Sequence, residues 1–243
     1  MHTCVNTEKQ TPMGAGYGRK KWFLNLQKVI KLFIRSPRYV YLGEKPQPGC
    51  IILSNHESAT VPLTMEMYSG LPARFWGTYQ MNKNFTFAYE YQSVTYYHQK
   101  KHWPLLGARA FCLIATPLTR LFYKGLELIS TYPDARFKNT LVQSMHVLKK
   151  GYSLVIFPEN SDNGYLKELT EFRQGAVMLL ECCQRQKLDV PVYVAYYQKQ
   201  AKCHVFDAPT TVSALMGQGL SREELAKRLC ARCNELGAME FAK

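Results

Sequence analysis

Nothing at the start of the chain reads as a secretion leader, because residues 1–18, MHTCVNTEKQTPMGAGYG, contain no apolar core segment. The sequence is also short of uncharged apolar runs. Near its middle the longest lies between Arg109 and Arg120, ten residues that include Pro117, against the roughly 20 that a spanning helix needs. No transmembrane helix is expected on that count. There is no G-x-S-x-G, so a serine hydrolase lacks its nucleophile turn. Cys230-x-x-Cys233 has no second CxxC or HxxxH pair to complete a tetrahedral zinc site, and no metal is expected. Eight cysteines are too few to build a 243-residue disulfide scaffold, which points to a reduced, cytoplasmic chain. Acidic residues are scarce as well. The 18 Asp+Glu stand against 31 Lys+Arg, a formal charge of +13, so the expected partner is anionic: a nucleic acid, a membrane surface or a nucleotide-bearing acyl carrier.

What is present is enough apolar sequence, 47%, for one sizeable core. Residues 1–18 read as a flexible tail, and Gly14, Gly16 and Gly18 follow no strand, so they do not make a phosphate loop. Over residues 19–37 the pattern changes. Trp22, Phe23, Leu26, Val29, Ile30 and Phe33 recur at helical spacing among Lys20, Lys21, Lys28, Lys31 and Arg35, up to the stop at Ser36-Pro37. This is a basic amphipathic helix of the kind that lies in the interface of an anionic bilayer.

Residues 38–243 read as a single α/β domain. Gly49–Ser54, Tyr152–Phe157, Val190–Ala195 and Cys203–Phe206 are short apolar runs between turn signals, hence buried strands. Helical periodicity occupies residues 138–149, the segment from Phe172 through Cys183, and a last helix opened by the capping box of Ser221 and Glu224. Residues 74–103 are dense in Phe, Tyr and Trp, as at membrane interfaces and around greasy ligands. Residues 105–123 read as one or two buried or interfacial helical pieces broken at Pro117. Strands apolar on both faces, alternating with helices, imply a largely parallel central sheet flanked by helices. The first strand delivers Asn55-His56-Glu57-Ser58 to its C-terminal end, the edge where open α/β sheets bind ligands.

Three segments, in order, resemble the glycerolipid acyltransferase family. Ser54-Asn55-His56 is similar to its NHxxxxD motif, Phe157-Pro158-Glu159 followed by Phe172-Arg173-Gln174-Gly175-Ala176 to FPEGTRS and FKxGA, and Val190-Pro191-Val192 to its VPV strand, together covering about residues 40–215. The resemblance implies an acyltransferase in which His56 is the general base and acyl-CoA or acyl carrier protein is co-substrate, with no bound cofactor. Asn55, Ser58, Glu159, Asn160, Asp162 and Arg173 then fall where the acceptor binds. The chain departs from the pattern in four places: the family's aspartate falls on Val61, its glycine after FPE on Asn160, its arginine on Asp162, and a further arginine near Thr131. Glu66 or Asp162 is the expected substitute for the missing His-orienting carboxylate. A carboxylate in place of a phosphate-reading arginine argues for a neutral or amine-bearing acceptor, with Arg136, Arg173 and Lys167 as the other candidate phosphate readers. The implied protein is peripheral or monotopic on the cytoplasmic membrane face, acts on a lipid acceptor and has no nucleic-acid partner; the alternative is an inactive relative that only holds lipid.

Overall fold

The computed structural model describes residues 18–57, 59–160, 164 and 166–241. The tail expectation for residues 1–18, Gly18 apart, and the candidate residues Ser58 and Asp162 therefore lie outside the described residues. In chain order the elements are α1 (Lys21–Phe33), β1 (Arg38–Tyr41), β2 (Ile51–Ser54), α2 (Thr60–Tyr68), β3 (Ala73–Thr78), α3 (Tyr79–Asn82), α4 (Phe85–Glu90), a π-helix (Tyr91–Lys100), α5 (Leu105–Leu126), β4 (Ile129–Thr131), α6 (Phe137–Lys149), β5 (Ser153–Ile156), α7 (Gly175–Arg185), β6 (Pro191–Gln198), β7 (Cys203–Phe206), β8 (Thr210–Thr211), α8 (Val212–Met216) and α9 (Arg222–Ala238).

The strands form one sheet in the order β1-β7-β6-β2-β5-β3-β4, with β8 paired to β6. From β6 to β4 every neighbour is parallel, while β7 runs antiparallel to β6 and carries β1 parallel at its outer edge. This is the single, largely parallel α/β domain the apolar runs imply. Alternation along the strands divides the core. Ile51, Leu53, Leu154, Ile156, Val192 and Val194 face α6, α7 and α9, where Met145, Leu179 and Leu229 close the layer. Ile52, Val155, Tyr193 and Ala195 face α1, α2 and α5 through Phe23, Val61, Met65 and Phe122. Burying both faces is the general condition for a parallel sheet. The capping box of Ser221 and Glu224 is formed in full at α9.

Three expectations are corrected. Residues 105–123 are not broken at Pro117: α5 runs 22 residues through it. Of the two readings, buried or interfacial, exposure of Leu106, Leu113, Ile114 and Leu118 removes the first. By length and composition α5 is also apolar enough to cross a membrane, because three charges spaced along a helix do not remove its hydropathy even though they interrupt every uncharged run. The segment from Phe172 turns helical only at Gly175; Phe172 itself pairs as an isolated β-bridge with Glu159.

Candidate functional site

The pairing of Leu53 with Ile156 sets β2 and β5 side by side in parallel register. His56 lies three residues beyond Leu53 and Glu159 three beyond Ile156, so the same register brings both to the C-terminal edge of the sheet. The Glu159 carboxylate accepts the backbone N–H of His56, and the Phe157 ring stands edge-on to the imidazole at 4.8 Å. The turn after β5 is held from the other side. Arg173 N donates to Pro158 O at 2.6 Å and Asn160 N to Glu171 O at 3.1 Å, flanking the Glu159–Phe172 bridge.

His56 and Glu159 open into a cavity of about 250 Å³. Phe75, Trp76, Met81, Leu126 and Leu128 give it apolar walls, and the π-helix forms another part of the lining. In a π-helix the backbone bonds i to i+5, so residues five apart share a face. Tyr91 with Tyr96, and Gln92 with Tyr97, all line the cavity. Lys100, at the end of the same element, joins His56 and Glu159 at the polar end. Beside it, Lys101 Nζ donates to Glu57 O at 3.4 Å, and Lys199 pairs with the Glu57 carboxylate at 3.3 Å.

Burial sets the protonation states. It lowers the His56 pKa to about 4, helped by the positive charges of Lys100 and Lys101, so the imidazole is neutral at pH 7. Burial raises Glu159 to about 7, against the opposing pull of the His56 N–H and of Lys100. Oε1 of Glu159 is buried with no hydrogen-bond partner among the described residues. The site thus holds a neutral imidazole and a carboxyl poised to change charge near neutrality, both lining one partly apolar chamber.

Several candidate residues have other duties. Asn55 is buried, and its amide both accepts from Tyr197 N at 2.7 Å and donates to Tyr197 O at 3.3 Å; it locks β2 to β6 and is not among the cavity-lining residues. Glu66 is not the His-orienting carboxylate. One oxygen takes Arg19 Nε and Gln27 Nε2, and the other takes Arg19 Nη2 at 2.7 Å. Val61, in the first turn of α2, is fully buried in the core. Asn160 donates to Glu171 and accepts from the exposed Arg173 guanidinium at 3.0 Å, so these residues brace the turn rather than line the cavity. Arg136 is bidentate on Asp134 and lies over the rings of Tyr79 and Tyr132, and Lys167 is exposed. Cys230 and Cys233 are core thiols whose pKa values burial raises. The cavity residues Tyr91, Gln92, Tyr96 and Lys100 escape sequence reading because a π-helix obeys neither of the two ordinary periods. The aromatic density of residues 74–103, closing on Lys100-Lys101, is the signal that marks them.

No family model and no curated protein matches the chain. Among solved structures it is similar to the crystal structure of the 1-acyl-sn-glycerophosphate (LPA) acyltransferase, PlsC, from Thermotoga maritima. That likeness has a TM-score of 0.48 and 16% identity over 92% of this chain and 81% of that one. At that level it carries no argument, and the chemistry rests on the geometry above.

Proposed function

We propose that the protein moves a fatty acyl group from acyl-CoA or acyl carrier protein to a hydroxyl or amine of a lipid acceptor at a membrane surface. The observation that carries this reading is a neutral His56 beside Glu159 in the lining of a largely apolar cavity. The acyl chain occupies the cavity, and the thioester carbonyl lies at His56. In the tautomer that keeps the ring proton on Nδ1, Nε2 of His56 takes the proton of the acceptor as its oxygen or nitrogen attacks the carbonyl carbon. The C–S bond then breaks, and the departing thiolate recovers the proton from the imidazolium. General-base help of this kind is worth about 10²–10⁴ in rate. Glu159 positions the acceptor through Oε1. Neither Arg136 nor Arg173 lines the cavity, which leaves Lys100 as its lining lysine; the phosphate-free acceptor follows from Asp162 standing where the family pattern has an arginine. The cationic, acid-free α1 holds the domain on anionic lipid, and the seven described cysteines, all thiols, suit the cytoplasmic face.

Release of free thiol from acyl-CoA, with lysophosphatidate and a phosphate-free monoacyl lipid in competition, tests the reading. Turnover that depends on His56 and prefers the phosphate-free acceptor supports it. A clear preference for the phosphorylated lipid would overturn the acceptor assignment and turn attention to Lys100. A second reading, a lipid-binding protein without turnover, is favoured by one observation: the position five residues after His56 holds a buried valine. Saturable acyl-chain binding with no thiol release would establish it.

A further inference from the structure

We propose that α5 is a second lipid-contacting element, lying in the plane of an anionic membrane interface beside α1 rather than crossing the bilayer. This extends the membrane reading given for α1, but it rests on α5's own surface. Leu106 is 82% exposed, Ile114 74%, Leu118 65% and Leu113 60%, so an apolar stripe runs the length of the helix. A stripe of that extent on a soluble chain marks a contact surface. Trp103 and Phe111, exposed and 5.5 Å apart, stand at its N-terminal end, as aromatic side chains do at the headgroup level of membranes.

The opposite face of α5 decides between lying and spanning. Thr119, Tyr123 and Leu126 line the cavity, and Thr116 donates to Gln92 of the π-helix at 3.3 Å. A helix that walls a chamber floored by β3 cannot leave the domain to cross a bilayer without opening that chamber. At its C-terminal end α5 is joined to the start of α1. Arg19 donates to the carbonyl of Leu126 at 2.5 Å, and the Phe23 ring is seated on Gly125, where any Cβ would come within 2.0 Å of it. The two exposed apolar helices therefore belong to one rigid unit.

Charge identifies the occupant. Neither α1 nor α5 contains an Asp or Glu, while they carry Lys21, Lys28, Lys31, Arg109, Arg120 and Lys124. A second copy docked on this face would set like charges against each other, which opposes association. Anionic headgroups pair with them.

The test uses the full chain and phosphatidylcholine vesicles with and without phosphatidylglycerol. Leu113→Glu with Leu118→Glu, on the solvent face, is expected to leave the melting curve unchanged and to weaken partition to anionic vesicles by about tenfold or more. Leu32→Glu with Phe33→Glu tests α1 in parallel: loss there with unchanged binding of the α5 variant would overturn this inference and leave the α1 reading standing. Tryptophan placed by Leu106→Trp, Ile114→Trp or Leu121→Trp should be quenched by brominated lipid at equal depth. A deepest position at Ile114 means a spanning helix and overturns the in-plane geometry. Dissociation of a dimer by the double substitution, with vesicle binding intact, would assign the face to a second copy and overturn the proposal.

Discussion

At the scale of single residues, two titratable groups at one sheet edge are displaced in opposite directions by the same cause. Burial disfavours charge, so it lowers the imidazole of His56 and raises the carboxyl of Glu159. If His56 is the base, the acid limb of kcat/KM lies well below the ordinary histidine value of 6.5, toward about 4. His56→Ala should remove about 10²–10⁴ of the rate with the fold intact, measured as thiol release alongside a melting curve. A limb that stays near 6.5 would show that substrate-free burial does not set the working pKa. The two residues were legible in the sequence, since each follows an apolar run that reads as a strand and together they resemble a known motif pair. Their partners were less legible. Asn55 sits inside the motif, yet its amide is spent on Tyr197, 142 positions away. Glu66 is likewise claimed by Arg19, 47 positions away. Long-range pairing of this kind leaves no local pattern.

Among the elements, those with ordinary periodicity or capping were readable: α1, α6 and α9, and the strands β2, β5, β6 and β7. The short parallel strands β3 and β4 were not, because β3 lies inside an aromatic segment and β4 spans only Ile129–Thr131. The π-helix gives no ordinary period to read and α5 gives a false break, for a related reason: side-chain alignment at i+5 and a proline carried on an exposed face both defeat rules drawn from buried α-helices. The junction of α1 and α5 gives an element-level prediction. Gly125→Ala drives a methyl into the Phe23 ring, and overpacking in a closed core costs about 1–3 kcal/mol. Chemical denaturation should register that loss, and Phe23→Leu in the same chain should recover part of it. The wall of the cavity gives another. A void of about 150 Å³ accommodates benzene, so 250 Å³ holds a chain of about ten carbons on the same scale. Thr119→Phe, which fills the wall from α5, should shift donor preference in thiol-release assays toward shorter acyl chains while shorter donors retain their rate.

Taken as one molecule, the protein balances groups whose burial pulls stability in opposite directions with pH. His204 is fully buried, and its Nε2 lies 2.8 Å from Thr64 Oγ1. That hydroxyl donates to Thr60 O, so the imidazole donates through Nε2 and keeps Nδ1 as a buried lone pair. Protonating Nδ1 would bury an unpaired donor, and burial accordingly lowers the pKa to about 3. For His56 and His204 the unfolded chain binds the extra proton between the folded and unfolded pKa values, so stability rises with pH toward 6.5. Glu159 works the other way. Its folded pKa of about 7 exceeds the ordinary carboxyl value of 4.5, so the folded chain retains a proton that the unfolded chain has released, and stability falls as pH climbs through that window. Glu159→Gln keeps an acceptor for the His56 N–H but cannot ionise. The variant should therefore match the parent near pH 4 and gain on it steadily up to about pH 7, reaching an advantage on the order of 1–3 kcal/mol. Urea midpoints across that range measure the difference directly. A constant offset between the two proteins would mean that Glu159 ionises in the folded chain as it does in water, and the charge-poised carboxyl in the cavity lining would have to be abandoned.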